Sequence, residues 1–261
     1  MTSKATHMLQ GAPVAGVGII CKTPQAGVSK TRLHAVVGRD SSAELAGCFL
    51  SDVASAIASL HPSVGARGYA IYAPEGSEIE LRRYVPSDFE FICRRDATLG
   101  IVLLGAMEVL LSQGHDCAVL VNADSPTLST ALLDETITRL RQPGDRVVLG
   151  PATDGGYYLI GLKRAHARLF SDIAWSTPTV LQTTIHRAGE IGLPVELMPV
   201  WYDVDEAESL AVLLDELHDA ITPPACGGKP GGPATATRAF VARHPELRMS
   251  VQRFLDRTGG R

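Results

Sequence analysis

GPATDGGYYLIG, residues Gly150–Gly161, joins two apolar strands through an acid and a pair of glycines. Adjacent glycines allow positive φ and leave no Cβ between the backbone and a ligand. Asp154 precedes the glycines at a strand end, which makes its carboxylate a candidate site group. The sequence is also typical of a hairpin turn, because Asp-Gly is a common hairpin dipeptide. Two interpretations therefore stay open for this stretch, a tight turn and a ligand site.

Short apolar runs alternate with helical patterns on both sides of this stretch. The alternation predicts an α/β fold, a mostly parallel sheet with helices on both faces. The predicted strands are Ala15–Cys21, Gly68–Ala73, Glu90–Cys93, Cys117–Asn122, Arg146–Gly150, Tyr157–Leu162 and Val195–Val200. The predicted helices are Ser41–Leu60, Leu99–Gln113, Ser129–Gln142, Thr179–Ile191 and Glu206–Ala220.

The remaining sequence suggests a division of the chain into four parts. We expect a flexible N-terminus at 1–13, the α/β domain at 14–221, a Gly/Pro linker at 222–234 and a C-terminal helical extension at 235–261. The first residues lack the basic start and apolar core of a signal peptide. Since no apolar run approaches the ~20 residues that cross a bilayer, we expect a cytoplasmic protein without a membrane span.

Composition excludes few classes of function. The chain is 45% hydrophobic and 20% charged, as is usual for a soluble globular protein. Its net charge of −4 gives no electrostatic reason to expect a nucleic acid or an anionic membrane as partner. Five scattered cysteines argue against a disulfide framework or a structural zinc site. Cys21, Cys93 and Cys117 lie in or beside predicted strands, so we expect buried thiols there.

A basic loop, Lys22–Leu33 (KTPQAGVSKTRL), follows the first predicted strand. Backbone N–H groups, a lysine ammonium and a bidentate arginine can together hold a diphosphate or triphosphate. The loop lacks the Walker A pattern. A solvated basic loop is the alternative, because lysine and arginine are mostly surface residues. The residues predicted to bind phosphate or nucleotide here are Lys22, Gly27, Lys30, Thr31 and Arg32.

Two further strand ends carry acids. The apolar strand ending at Asn122 runs into Asp124, and ligands of open α/β sheets bind beyond the carboxyl ends of strands. Asp124 is therefore a candidate ligand of Mg²⁺ or Mn²⁺, with a helix cap or an Asx turn as the alternative. Asp203 is the second candidate metal ligand. Asp205 is predicted to cap the last domain helix, in a capping box with Glu208.

The segment Ile173–Pro178 (IAWSTP) places a tryptophan beside two hydroxyl groups. Such an arrangement can position a sugar or another flat group. A core tryptophan next to a Ser/Thr helix cap is the alternative. The residues predicted to contact an acceptor are Tyr157, Trp175, Ser176 and Thr177.

In this order and spacing, these segments resemble the arsenosugar-biosynthesis or radical-SAM/selenodomain-associated glycosyltransferases. The pattern of that family runs K-x-P-x-x-G-x-x-K-T-R-L, G-x-D-x-P-x-L, G-P-A-x-D-G-G-Y-Y-L-I-G, W-S-T and D-V-D, and residues 15–215 follow it. The matching positions are Lys22, Pro24, Gly27, Lys30–Leu33, Asp124–Pro126, Gly150–Gly161, Trp175–Thr177 and Asp203–Asp205. The resemblance implies the Rossmann-like GT-A fold of nucleotide-diphospho-sugar transferases, a single three-layer α/β/α domain with a mixed sheet. It also implies a nucleotide pocket at the early strands and a divalent metal.

Two positions depart from the pattern of that family. Asn122 stands where the family has a glycine before the first acid. Gly100–Val102 lacks the arginine of the Gly-x-Arg that commonly follows the third strand, and Arg94 or Arg95 is a candidate substitute. The family is also similar to 2-phospholactate and molybdenum-cofactor guanylyltransferases, which share the basic first loop and the late acids.

Three functions fit these residues. We favour metal-dependent glycosyl transfer from a nucleotide sugar to a small-molecule acceptor, with Asp154 on the sugar or as base and Lys30 and Arg32 on the diphosphate. The alternative is nucleotidylyl transfer from a nucleoside triphosphate to a phosphorylated small molecule, with release of pyrophosphate. The third is a catalytically silent nucleotide-binding regulator. Further predicted nucleotide contacts are Asn122, Gly155 and Gly156.

Overall fold

A seven-stranded sheet forms the centre of the protein in a computed structural model that describes residues 14–60, 64–95, 98–219, 223 and 226–259. The strands are β1 (Ala15–Lys22), β2 (Ala66–Ala73), β3 (Glu90–Cys93), β4 (Ala118–Asn122), β5 (Val147–Pro151), β6 (Tyr157–Leu162) and β7 (Val195–Leu197). The helices are α1 (His34–Val37), α2 (Arg39–Ala58), α3 (Glu78–Leu81), α4 (Leu99–Ser112), α5 (Thr130–Arg141), α6 (Val180–Glu190), α7 (Ala207–Asp219), α8 (Thr235–Arg243) and α9 (Leu247–Thr258). Two 3₁₀ turns lie at Thr31–Leu33 and Ala167–Phe170.

The sheet is mixed, with the strand order β3-β2-β1-β4-β6-β5-β7. Only β6 runs against the other strands, and it is antiparallel to both of its neighbours, β4 and β5. The reversal follows from the short turn between β5 and β6, since parallel neighbours need a longer crossover. The predicted mostly parallel mixed sheet is confirmed.

Helices cover both faces of the sheet. Along β1, Val17 and Ile19 face one apolar cluster, which α2, α5, α7, α8 and α9 complete. Ile20 packs against a second cluster, to which α4 and α6 contribute. Strands buried on both faces are expected to be apolar throughout, which is why they are continuous aliphatic runs in the sequence. The expected three-layer α/β/α arrangement is therefore confirmed.

Most predicted elements begin and end within two residues of the observed ones, and the largest difference is β7, which ends at Leu197 instead of Val200. The helices α1 and α3 were not predicted, because each has only four residues and too few to show a helical period.

The C-terminal segment forms two helices, and the first packs on α2. The buried carboxylate of Asp52 in α2 accepts hydrogen bonds from the backbone N–H of Ala236 and of Thr237 and from the Thr237 hydroxyl, at 2.6–2.9 Å. These bonds satisfy donors at the start of α8 that have no partner within the helix. The predicted N-terminal segment 1–13 and part of the predicted linker lie outside the described residues, and the division into four parts stays a prediction.

All five cysteines have free thiols. Cys21 and Cys117 are buried, as expected, whereas Cys93 is only half-buried. Within the described part of the chain, no helix is both long enough and apolar enough to cross a membrane.

Candidate active site

The stretch Gly150–Gly161 forms a hairpin between β5 and β6 whose tip carries Asp154. The carbonyl of Ala152 accepts a hydrogen bond from the N–H of Gly155 at 3.2 Å, which closes the turn. Oδ1 of Asp154 accepts from the N–H of Gly156 at 2.8 Å, which fixes the carboxylate. Asp154 also lines a cavity. The stretch is therefore a tight turn that presents an acid to a cavity, and the binding of a ligand there stays a prediction.

The segment after β7 brings the late acids to the other strand ends. Trp201 pairs with Ala152 in an isolated parallel bridge, so this segment runs beside the hairpin. The N–H of Val204 donates to the carbonyl of Asp124 at 2.9 Å. The two acids that flank Val204 are thereby placed near Asp124, although they are about 80 residues away in sequence.

Lys30 joins the basic loop to these acids. Its Nζ lies 2.7 Å from Oδ1 of Asp124 and 2.7 Å from Oδ1 of Asp205. The Lys30 side chain is 6% exposed, and its ammonium lies 5.6 Å from the centre of the Phe49 ring. Burial alone would lower the pKa of Lys30, but the two carboxylates raise it above its ordinary value. The buried ammonium is thus held in its charged form.

The prediction that Asp205 caps the last domain helix is wrong. Its carboxylate binds Lys30, while Oγ of Ser209 accepts hydrogen bonds from the N–H of Asp205 at 3.1 Å and of Glu206 at 3.3 Å. A buried ammonium needs charged partners, whereas a hydroxyl is sufficient for backbone N–H groups at a helix start. The sequence signal for this role was the pair Asp203 and Asp205, two acids separated by one residue after the last strand.

Asn122 forms the Asx turn that was the alternative explanation for Asp124. Oδ1 of Asn122 accepts from the N–H of Asp124 at 3.2 Å, so the carboxylate of Asp124 is available to Lys30. The helix that follows is capped by Ser129, whose Oγ accepts from the N–H of Leu132 at 3.4 Å. Ser129, and not Asp124, is therefore the cap of this helix.

A cavity of about 630 Å³, here named the loop cavity, lies at the carboxyl ends of β1, β2 and β4. Asp124 and Asp205 line it together with four of the five residues predicted from the basic loop, which are Lys22, Lys30, Thr31 and Arg32. Gly27, the fifth, does not line it. Lys22 is exposed, and the side chain of Arg32 is 71% exposed and lies 4.0 Å from Glu206. The basic loop therefore faces a cavity of the size that holds a ligand.

Arg94 supplies a further cation to the loop cavity. It lines the cavity beside Val102, the position without the expected arginine. The Arg94 guanidinium lies directly over Gly105 in α4, where a Cβ would push this flexible side chain aside. Arg95, the other candidate, is exposed and pairs with Glu75. The structure therefore places Arg94, and not Arg95, at the cavity.

A second cavity of about 300 Å³, the hairpin cavity, adjoins the loop cavity at Asp124, which lines both. The residues that line it include Asp124, Asp154, Asp203, Asn122, Gly156, Tyr157, Trp175, Ser176 and Thr177. These include all four predicted acceptor residues, while Asn122 and Gly156, predicted for the nucleotide, lie here instead of in the loop cavity. A third cavity of about 700 Å³ is lined by Asp154 and Asp203 and by residues of α7.

Trp175 has two roles in this structure. It is half-buried against the core, and its ring meets that of Tyr157 edge to face at 6.4 Å between centroids. It also lines the hairpin cavity. The alternative of a neighbouring cap is not observed, because α6 begins only at Val180 and the Thr177 hydroxyl donates to the carbonyl of Ala174 at 2.7 Å. Trp175 is thus both a core residue and a wall of the cavity.

Asp203 carries a shifted pKa. Burial raises the pKa of its carboxyl from 3.8 to about 6, and the nearby carboxylates of Asp154, Asp205 and Asp124 add to the rise. Four acids, namely Asp124, Asp154, Asp203 and Asp205, thus lie close together. Lys30 is in direct contact with two of them, Asp124 and Asp205. An arrangement of this kind favours the binding of a further cation.

The side chains here fit Mg²⁺ or Mn²⁺ only if a bound ligand supplies some of the oxygen atoms that coordinate the ion. Among the residues that the structure describes, no three His, Cys, Asp or Glu side chains are grouped to hold a metal by themselves. Mg²⁺ is usually bound by one or two carboxylates together with substrate phosphates and water. Asp124 and Asp203 would provide such a pair, and the adjoining loop cavity would provide room for the phosphates.

The substitution Asp203→Asn is expected to raise the Tm of the metal-free protein at pH 8 by about 2–6 °C. A raised carboxyl pKa means that the native state binds more protons than the unfolded state between about pH 4 and 6, so stability is lost as the pH rises through this window. Asparagine cannot ionise, so the variant avoids this loss of stability, which is about 1–2 kcal/mol after allowance for solvent screening. At pH 3.5 the difference should nearly vanish, because the carboxyl of Asp203 is then mostly protonated in both the native and the unfolded state.

Thermal unfolding in a chelating buffer at both pH values measures this effect, with the exposed Asp88→Asn as control. An equal or lower Tm for Asp203→Asn at pH 8 would show that its neighbours do not destabilise this carboxylate.

The fold matches solved structures of nucleotide-dependent transferases. A protein from Desulfovibrio desulfuricans G20, provisionally described as a nucleotide-diphospho-sugar transferase, superposes with a TM-score of 0.77 at 26% identity, over 91% of this chain and 97% of that chain. CMP:2-keto-3-deoxy-manno-octonic acid synthetase, complexed with CTP, superposes with a TM-score of 0.51 at 12% identity, over 78% of this chain and 99% of that chain. The expected Rossmann-like fold of nucleotide-diphospho-sugar transferases is confirmed.

Part of the sequence matches the model of a protein family. Residues 57–177 match the model of a family described as uncharacterized protein conserved in bacteria (DUF2064). Among curated proteins, no sequence matches the chain.

Proposed function

We propose that the protein is a metal-dependent glycosyltransferase that takes a nucleotide-diphospho-sugar as donor and a small molecule as acceptor. The observation that carries the proposal is the cluster of Lys30, Asp124 and Asp205 at the loop cavity, with Asp124 at the junction with the hairpin cavity. Transfer needs donor and acceptor to be held with their reacting atoms in contact, which two adjoining cavities permit. The similarity to the Desulfovibrio desulfuricans protein, provisionally described as a nucleotide-diphospho-sugar transferase, supports this choice.

The loop cavity suits the nucleotide diphosphate of the donor. Four of its lining residues carry positive charge, namely Lys22, Lys30, Arg32 and Arg94. Arginine can bind two phosphate oxygens at once, and lysine contributes a point charge. Asp124 and Asp203 would hold Mg²⁺ or Mn²⁺, which would neutralise charge on the diphosphate as it leaves.

Asp154 would act as the base. In the proposed reaction, the oxygen of an acceptor hydroxyl bonds to the anomeric carbon of the sugar, and the bond from that carbon to the diphosphate oxygen breaks. The electron pair of the broken bond stays on the nucleoside diphosphate, and the hydroxyl proton passes to the carboxylate of Asp154. The hydrogen bond from Gly156 fixes the position of that carboxylate. Lys30 and Arg32 stabilise the charge that develops on the leaving group.

Nucleotidylyl transfer is the second candidate, and the number of cations at the loop cavity favours it. Lys30 is paired with two carboxylates, but Lys22, Arg32 and Arg94 together with a divalent ion can neutralise a triphosphate. Such reactions depend on positioning and charge more than on covalent chemistry by the protein. Here the acceptor oxygen would attack the α-phosphorus, and pyrophosphate would leave. A silent regulator is the least supported function, because a cluster of acids at the junction of two cavities is not needed for binding alone.

A ligand panel tests the proposal. We expect nucleotide-diphospho-sugars with Mg²⁺ or Mn²⁺ to raise Tm by about 5–10 °C at a hundredfold excess over Kd, and chelation to remove most of the shift. Product analysis by mass spectrometry should then detect a nucleoside diphosphate and a glycosylated acceptor. Pyrophosphate released from a triphosphate would assign nucleotidylyl transfer instead. Binding that needs no metal and gives no product would support the regulator.

A further inference from the structure

The charge of the hairpin cavity limits the acceptor. Asp124, Asp154 and Asp203 line the cavity, whereas none of its described lining residues is lysine, arginine or histidine. A bound divalent ion and Lys30 together supply three positive charges against the four carboxylates of the cluster. The diphosphate of a donor would bring further negative charge near the junction, which Lys22, Arg32 and Arg94 of the loop cavity would offset. An acceptor with a phosphate or a carboxylate would therefore be repelled at close range.

The shape and walls of the cavity describe the rest of the acceptor. Its apolar lining includes Ile20, Leu99, Leu103, Leu120, Tyr157 and Trp175. A water molecule takes about 30 Å³ in the liquid, so a volume of about 300 Å³ corresponds to roughly ten water molecules. A single sugar ring, or an aromatic ring with a short substituent, fills such a space. The rings of Tyr157 and Trp175 are nearly perpendicular, so one of the two at most can lay its face against the ring of an acceptor.

The polar side of the cavity lies next to the hairpin. Ser176 lines it with a backbone φ of +62°, a conformation that costs a non-glycine residue free energy unless its surroundings hold it. The carbonyl of Gly155 accepts a hydrogen bond from the N–H of Leu181 at 3.0 Å, which ties the hairpin to α6. Ser176 and Thr177 are thus held beside the carboxylates, where they can bind hydroxyl groups of an acceptor.

We propose that the hairpin cavity binds the acceptor, and that this acceptor is a compact, uncharged or cationic molecule with one apolar or aromatic face and a hydroxyl group near Asp154. This inference rests on the proposed glycosyl transfer and specifies its acceptor class. It excludes the phosphorylated acceptor of the alternative function, because the described lining offers no cation to bind a phosphate.

An acceptor series that varies only in charge tests the inference. The acceptors are glucose, 6-amino-6-deoxyglucose and glucose 6-phosphate, a neutral, an amine-bearing and a phosphorylated form of one sugar ring, supplied with the donor identified from the ligand panel. We expect kcat/KM for the phosphorylated form to be at least tenfold lower than for the other two. A preference for the phosphorylated form would overturn the inference. If no nucleotide sugar binds or is hydrolysed, the proposed function itself fails, which is a different result from a donor that reacts with the wrong acceptors.

Two variants locate the acceptor in the hairpin cavity. Trp175→Ala should raise the KM for the acceptor at least tenfold, while the Kd of the donor changes less than twofold. Ser176→Lys adds a cation to the lining and should raise relative use of the phosphorylated acceptor at least tenfold, even if Trp175→Ala fails to fold. Ser87→Lys, at an exposed position that lines none of the three cavities, is the control. Unchanged acceptor KM and unchanged charge preference in the two variants would place the acceptor elsewhere.

Discussion

Replacement of Asp124 by alanine is expected to abolish the metal-dependent part of nucleotide binding and to lower kcat/KM at least about 1000-fold. Asp124 lies at the junction of the two cavities and contacts Lys30 at 2.7 Å. Its loss would remove the proposed metal ligand and also one of two carboxylates around a buried ammonium. Removal of a single group that stabilises transition-state charge already costs about 10²–10³ in rate. Thermal shifts with and without Mg²⁺, together with turnover, measure both effects.

Asp124→Asn separates charge from shape at this position. The amide preserves the size of the side chain, so a loss as large as that in Asp124→Ala would assign the effect to the carboxylate charge. Asp88→Ala, at an exposed position outside the three cavities, controls for the general loss of an acid. A metal-dependent shift that survived intact in Asp124→Asn would mean that Asp124 is not a metal ligand.

Gly155→Ala should lower Tm by about 5–15 °C and reduce turnover more than about 100-fold. Gly155 has a φ of +90°, and a Cβ there would lie 2.2 Å from the carbonyl oxygen of Pro178. The left-handed conformation costs about 1–2 kcal/mol and the collision with backbone adds about 1–3. The residue follows Asp154, and Pro178 follows the Trp175–Thr177 segment, so relief of the clash must move both walls of the hairpin cavity.

A matched glycine separates the clash from the backbone conformation. Gly114 has a φ of +89°, and a Cβ there would meet nothing within 4 Å. Gly114→Ala should therefore cost only the conformational part, a few degrees in Tm, with turnover retained. Thermal unfolding and turnover of the two variants should be compared directly. Equal effects at the two positions would show that the contact with Pro178 does not determine the geometry of the site.

Local sequence patterns were sufficient for the layers and for most element boundaries. The apolar runs of β1 and β4 predict buried strands because their side chains meet helices on both faces. The Asp-Gly-Gly turn predicts both a hairpin and an exposed acid, and both are present because glycine geometry is a property of the residue itself. Ser129 as a helix cap was predictable for the same local reason.

The role of Asp205 could not be obtained in this way. Its sequence neighbourhood is that of a helix start, and a cap was the natural prediction. The partner that decides its role, Lys30, is 175 residues away in sequence. The sequence could not show whether Arg94 or Arg95 reaches the loop cavity, because this depends on which side chain lies over Gly105 in α4.

The sequence by itself determined the α/β layers, the hairpin turn and the residue types that face the strand ends, because hydrophobic period and turn chemistry act within a few residues. Only the tertiary structure decided which of those residues meet. Contact between Lys30, Asp124 and Asp205 follows from the strand order β1-β4-β6-β5 and from the path of the segment after β7. Strand order is set by packing over the whole chain, which no local pattern encodes.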